Sequence, residues 1–126
     1  MPYKIMMSIV ATVPLIFLIA FVAIPEFFVL QWYPSAEGLA LEIAITHRYD
    51  MAGLLFMVVC FAFLSRNVEG VDNQKAILLG AALAFSAMCA VIISIALFRG
   101  IPLDIPPMIA TGTIAALSFW SCSKLS

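Results

Sequence analysis

The sequence predicts an all-α fold: a four-helix transmembrane bundle with a short surface segment or helix between the first and second crossings. Three observations predict it. Of 126 residues, 65% are hydrophobic and only 10% are charged, whereas soluble domains run at about 45–50% apolar and about 25% charged. The apolar residues gather into four runs parted by short polar or proline-rich breaks. A chain of this size folded in water would leave too much surface exposed to hide that much apolar area. The whole of 1–126 therefore reads as one membrane domain, with crossings at about 5–25, 46–65, 76–98 and 107–122. The net charge is −1, with no basic stripe, so nothing points to nucleic acid.

The first crossing, Ile5 onward, is long enough to span and longer than the core of a cleaved signal. No small-x-small cleavage site follows it, so it reads as a retained helix. Pro14 lies inside it, where a kink is expected. Pro25-Glu26 ends it. Phe27 to Pro34 then reads as a segment lying along the membrane, with Trp32 and Tyr33 at headgroup level. Ser35 is an N-cap candidate with Glu37 in the first turn. A helix from Ala36 to Ser65 would be about 45 Å long, more than the roughly 30 Å of hydrocarbon.

Arg66 to Lys75 is the clearest loop, with Asp72-Asn73 able to cap the next helix. The third crossing carries Ala82, Ser86, Ala90 and Ser94 at four-residue spacing, a small-residue stripe, with Gly80 and Ala84 extending it. Arg99 to Pro107 is a stiff proline-rich turn. The fourth crossing begins in the Pro106-Pro107 region, where proline suits a first helical turn. Gly112 and Ala116 form a further small-x-x-x-small pair, and Trp120 marks the far interface. Cys60, Cys89 and Cys122 stand apart from one another, which fits small buried hydrophobes rather than disulfides or a zinc site.

Lys4, Arg66, Lys75 and Lys124 flank one side and Arg48 and Arg99 the other, so the positive-inside rule favours cytoplasmic termini. The setting this implies is a bacterial inner membrane.

The most unusual stretch joins Thr46-His47-Arg48-Tyr49-Asp50 to fourteen residues, Met51 to Leu64, without a charge. That run spans only about 21 Å as a helix, so the polar residues should lie at the edge of the hydrocarbon. Charges there are rare, usually paired and often functional. His47 and Asp50 share a face, as do Thr46 and Asp50, while Arg48 points about 100° away from His47. Arg48 is expected to snorkel outward or to pair with Asp104 or Glu26, and Arg99 to reach Asp50. The possible ion-pair or polar cluster is thus His47, Arg48, Asp50, Glu42, Arg99 and Asp104. The helix-packing set is Gly80, Ala82, Ser86, Ala90, Ser94, Gly112 and Ala116. His47 alone cannot build a metal site, which needs three or four ligands, but one axial ligand suffices for haem or chlorophyll.

Pro25-Glu26-Phe27-Phe28, a short surface segment, and then Arg48-x-x-x-x-Gly53 opening a second crossing resemble a broad group of small four-helix bacterial integral membrane proteins. The resemblance covers the first half of the chain, and the sequence departs from it at His47 and Asp50. It implies the four-helix fold and no activity.

No phosphate loop, zinc-protease motif or nucleophile elbow is present, so no catalytic residue is expected and the chain reads as a non-enzyme. The leading expectation is an accessory or structural subunit of a larger bacterial membrane complex, packing against other membrane subunits or itself in the lipid bilayer. The alternatives are a small oligomeric transporter or channel, and a haem- or chlorophyll-binding subunit using His47.

Overall fold

In a computed structural model of the chain, which describes residues 2–126, five helices account for all regular structure. They are α1 (Tyr3–Ala23), α2 (Pro25–Trp32), α3 (Gly38–Ser65), α4 (Val71–Arg99) and α5 (Ile105–Lys124), with no strand among the described residues. Four of them, all but α2, are long and apolar enough to cross a membrane. This is the architecture that helices need in lipid, where each backbone polar group must be paired within its own segment.

Local chemistry explains the boundaries. α1 runs unbroken through Pro14. Pro25 sits in the first turn of α2, where its missing N–H costs nothing. The expected surface segment is therefore a true eight-residue helix. Tyr33, Pro34, Ser35 and Ala36 form a turn closed by the Ala36 N–H bonding to Tyr33 O at 3.0 Å. Ser35 is consequently a turn residue rather than the N-cap that the sequence suggested. α3 starts three residues later, at Gly38, and has no acid in its first turn. Pro34 is the physical reason, since its fixed φ favours the second position of such a turn. At 28 residues, α3 is about 42 Å long, so it outreaches the hydrocarbon as expected.

Before α4 the cap also differs from expectation. Gly70 takes the N-cap position with φ 88° and no side-chain cap bond. Asn73 and Gln74 instead fold back to donate to loop carbonyls, Asn73 Nδ2 to Glu69 O at 3.2 Å and Gln74 Nε2 to Val68 O at 2.9 Å. α4 ends on Gly100 in the left-handed region, its N–H bonding to Ala96 O at 3.1 Å. Asp104 then precedes α5, and Pro106 and Pro107 fall in its first turn.

The chain separates into two compact units. One is Ala11–Phe61, holding most of α1, α2 and most of α3. The other joins the first turns of α1 to Ala62–Ser126. Within the second unit α4 and α5 pack as an antiparallel pair. Cys89 Sγ contacts Met108 O at 3.7 Å and Cys122 Sγ contacts Lys75 O at 3.7 Å. A Cβ on Gly112 would stand 3.7 Å from Cys89 Sγ, an ordinary van der Waals contact, so Gly112 faces α4 at this point. The three cysteines are free and half-buried rather than buried, and two of them make weak S–H contacts to carbonyls across the helix pair. The core of this unit is made by Tyr3, Met6 and Met7 of α1, Ala62 of α3, Leu78 and Ala82 of α4, and Ile114 and Ala115 of α5. At its edge the Tyr3 hydroxyl donates to Ser65 O at 2.8 Å.

Candidate functional site

The unit Ala11–Phe61 holds a buried cation. Arg48 is 5% exposed, and it lies 17 residues before Ser65, the last residue of α3, which is about 26 Å along the helix. With the Ser65 end at one boundary of a roughly 30 Å hydrocarbon layer, Arg48 stands near the other. A charge at that depth needs partners. The guanidinium carbon lies 4.8 Å from the centre of the Trp32 ring and 5.3 Å from that of Phe21. Both distances fall within cation–π range. One terminal nitrogen, Nη2, donates to Phe28 O at 3.5 Å, a long bond, and Nη1 contacts Met51 Sδ at 3.7 Å.

The rings are themselves braced. Phe21 meets Phe28 edge-to-face at 5.0 Å, Phe28 meets Phe27 at 5.4 Å, and Phe17 meets Phe21 at 6.1 Å. These are favourable T-shaped separations. One residue of α3 is thus gripped by the end of α1 and by α2. A planar guanidinium suits this role, because it lies flat against rings and still donates at its edges.

This arrangement bears on two expectations. Of the two courses expected for Arg48, its burial at 5% exposure excludes outward snorkelling and leaves pairing with an acid open. Trp32, expected at headgroup level, also meets this cation. It is half-buried, with its face to Arg48, whereas its neighbour Tyr33 is exposed.

His47 and Asp50 lie on another side of α3. With Leu39, Glu42, Ile43 and Thr46 they line one shallow groove, and Glu42, Thr46, His47 and Asp50 are all exposed. The shared face follows from the three- and four-residue spacing. All six lining residues come from one helix, so the groove has no opposing wall. Thr46 Oγ1 donates to Glu42 O at 2.9 Å, bonding within its own helix. Among the described residues no three His, Cys, Asp or Glu side chains are placed to hold a metal ion. Arg99 is exposed and Asp104 is buried, at 7% exposed.

The packing set divides by position. Ala82 is fully buried, Ser86, Ser94 and Gly112 are half-buried, and Gly80, Ala90 and Ala116 are exposed. The reason is geometric. A four-residue step turns the helix through 400°, so a stripe at that spacing drifts about 40° per step; Ala82, Ser86 and Ala90 follow that drift from buried to exposed, and Ser94 is half-buried again.

Sequence reasoning missed Phe21, Phe28 and Trp32 as partners of Arg48, and it missed the buried hydroxyls of Ser118 and Ser121. The cluster Phe27-Phe28 beside Trp32 was the available signal for an aromatic receptor. Nothing in the spacing tied it to Arg48. In comparison with known proteins, no family model, no curated protein and no solved structure matches this chain, so its residues alone carry the functional argument.

Proposed function

We propose that the chain is an accessory or structural subunit of a larger bacterial membrane protein complex, contributing helix packing rather than chemistry. The outward face of α4 supports this reading. Ala76, Gly80, Ala84 and Ala87 are all exposed and follow one another at steps of four, four and three, so they share a side of the helix. Nothing lies within 4 Å of where a Cβ on Gly80 would stand. Lipid tails do not drive helices together, whereas close approach over small residues does. A glycine facing lipid weakens its helix by about 1 kcal/mol relative to alanine with no return. Under a neighbouring helix it lets two backbones meet.

In mild detergent the protein is expected to run well above its own mass of 13.7 kDa, bound to a partner or to itself. Gly80→Leu should weaken that association at least tenfold, about 1.4 kcal/mol, without lowering the melting temperature of the chain, because the new side chain enters open space. A wild-type chain that stays a lone monomer under native-size analysis would remove the proposal.

The same reading places the protein in the bacterial inner membrane with both termini cytoplasmic. Lys4 opens α1, Arg66 follows α3, Lys75 lies near the start of α4 and Lys124 ends α5. Of the two opposing cations Arg48 is buried, which leaves Arg99 and strengthens the bias. Alkaline phosphatase fused to the C-terminus should be inactive and a fused fluorescent protein bright. An active phosphatase fusion contradicts the orientation.

A second reading, a small oligomeric transporter, draws on the exposed Glu42, Thr46, His47 and Asp50. Polar side chains on one face of a spanning helix usually meet water or a partner, and several copies could line a path with them. Proteoliposomes should then show a flux that falls with Asp50→Asn and His47→Ala. A flux unchanged by both substitutions removes these residues from any path.

A further inference from the structure

Ser118 and Ser121, near the end of α5, are both 0% exposed, and neither hydroxyl has a hydrogen-bond partner in the protein. Several other helix hydroxyls of this chain bond back to their own backbone. Ser8 Oγ donates to Lys4 O at 2.8 Å, Thr111 Oγ1 to Pro107 O at 2.8 Å and Ser123 Oγ to Trp120 O at 2.8 Å. Within a membrane that is the ready solution for a hydroxyl. Ser118 and Ser121 do not take it. An unpaired hydroxyl in apolar surroundings forfeits the hydrogen bonds it made in water, and this chain leaves two of them on one face of one helix.

We propose that Ser118 and Ser121 bind an internal water molecule between them. Residues three apart on a helix have Cβ atoms about 5–6 Å apart. That separation suits two bonds of about 2.8 Å through a single water oxygen better than a direct bond between the hydroxyls. A buried water needs two to four polar partners, and the pair supplies two.

Both serines lie close to the end of α5. Ser121 is three residues and Ser118 six residues from Lys124, the end of α5, so they lie about 5 and 9 Å from the helix terminus. Further inward along α5 the buried side chains are apolar as far as Thr111. The next buried polar side chain along α5 is Thr111, already bonded to its own helix. Ile114 and Ala115 intervene, 2% and 5% exposed. The arrangement is therefore a water site and not a conducting file. Its ligand is neutral, because two hydroxyls without an acid suit water better than a cation.

The test uses the full chain in bicelles. Magnetisation transfer from water should reach the Hβ and amide protons of Ser118 and Ser121, and be lost in the double variant Ser118→Ala/Ser121→Ala. Absence of transfer to both serines, while exposed Ser123 shows it, overturns the proposal. Melting temperatures give an independent arm. Each single alanine variant should lower Tm by about 4 °C, because it strands the other hydroxyl. The double variant should lose less than the sum, because both ends of the bridge are gone. Single variants that raise Tm, or losses that simply add, would mean a dry site and overturn the proposal.

Discussion

Arg48→Ala is expected to destabilise the folded protein by about 3–4 kcal/mol. The sum has identifiable parts. Two cation–π contacts with little water present contribute about 1–1.5 kcal/mol each, and the long hydrogen bond to Phe28 O adds about 0.5–1 kcal/mol. The guanidinium lies 4.8 Å from Trp32 and 5.3 Å from Phe21, with Nη2 on Phe28 O, and all of these go at once. Arg48→Lys should recover less than half of the loss. An ammonium is a point charge and cannot face two rings while donating sideways to a carbonyl. Arg48→Met tests the other limit, since it keeps much of the apolar stem and removes the charge. The measurement is unfolding of the detergent-solubilised chain, followed by helical circular dichroism. Equal stability of the alanine variant and the wild type would show that the aromatic grip contributes nothing. Trp32→Leu should reproduce part of the effect, because it removes the nearer ring and leaves Arg48 in place.

Leu78→Ala is expected to cost about 2 kcal/mol, at the low end of the range of about 2–5 kcal/mol for such truncations in water-soluble cores. Leu78 on α4 is 0% exposed, so its truncation opens a space that lipid cannot reach. The reason for the smaller value is the solvent. In water the cost includes the transfer of apolar surface and the loss of packing. Within lipid the separated helix would place Leu78 against acyl chains nearly as apolar as the protein interior, so the transfer part largely drops out. The packing part remains, because the cavity lining loses its dispersion contacts. Leu79→Ala, next in sequence but exposed at 44%, should cost a few tenths of a kcal/mol at most. If the two variants melt together, Leu78 is not part of a packed core.

The sequence by itself determined the elements that hydropathy and helix geometry control. Long apolar runs have one stable form in lipid, so the four spanning helices were readable. So were the length of α3, the proline start of α5, and the shared face of Glu42, Thr46, His47 and Asp50, because each depends only on spacing along one helix. The direction of Arg48, away from His47, was readable for the same reason. Where small errors arose they came from turn chemistry. Pro34 drew Ser35 into a turn, and Gly70 displaced the expected Asp72-Asn73 cap, because backbone φ outweighed the capping preference of a side chain.

Only the tertiary structure decided what each face meets. Arg48 found Phe21 and Trp32 on other helices, and cation–π attraction has no sequence spacing to announce it. Which small residues pack was equally hidden. Ala82 is buried while Ala90, two steps along the same stripe, is exposed, because a 3.6-residue helix rotates a four-residue pattern out of contact. Ser118 and Ser121 look like any serines of a spanning helix until the fold buries both hydroxyls without a partner. Spacing along a chain fixes directions within one helix. Burial and pairing depend on what the neighbouring helix presents at the same depth, and that is set by packing between segments distant in sequence.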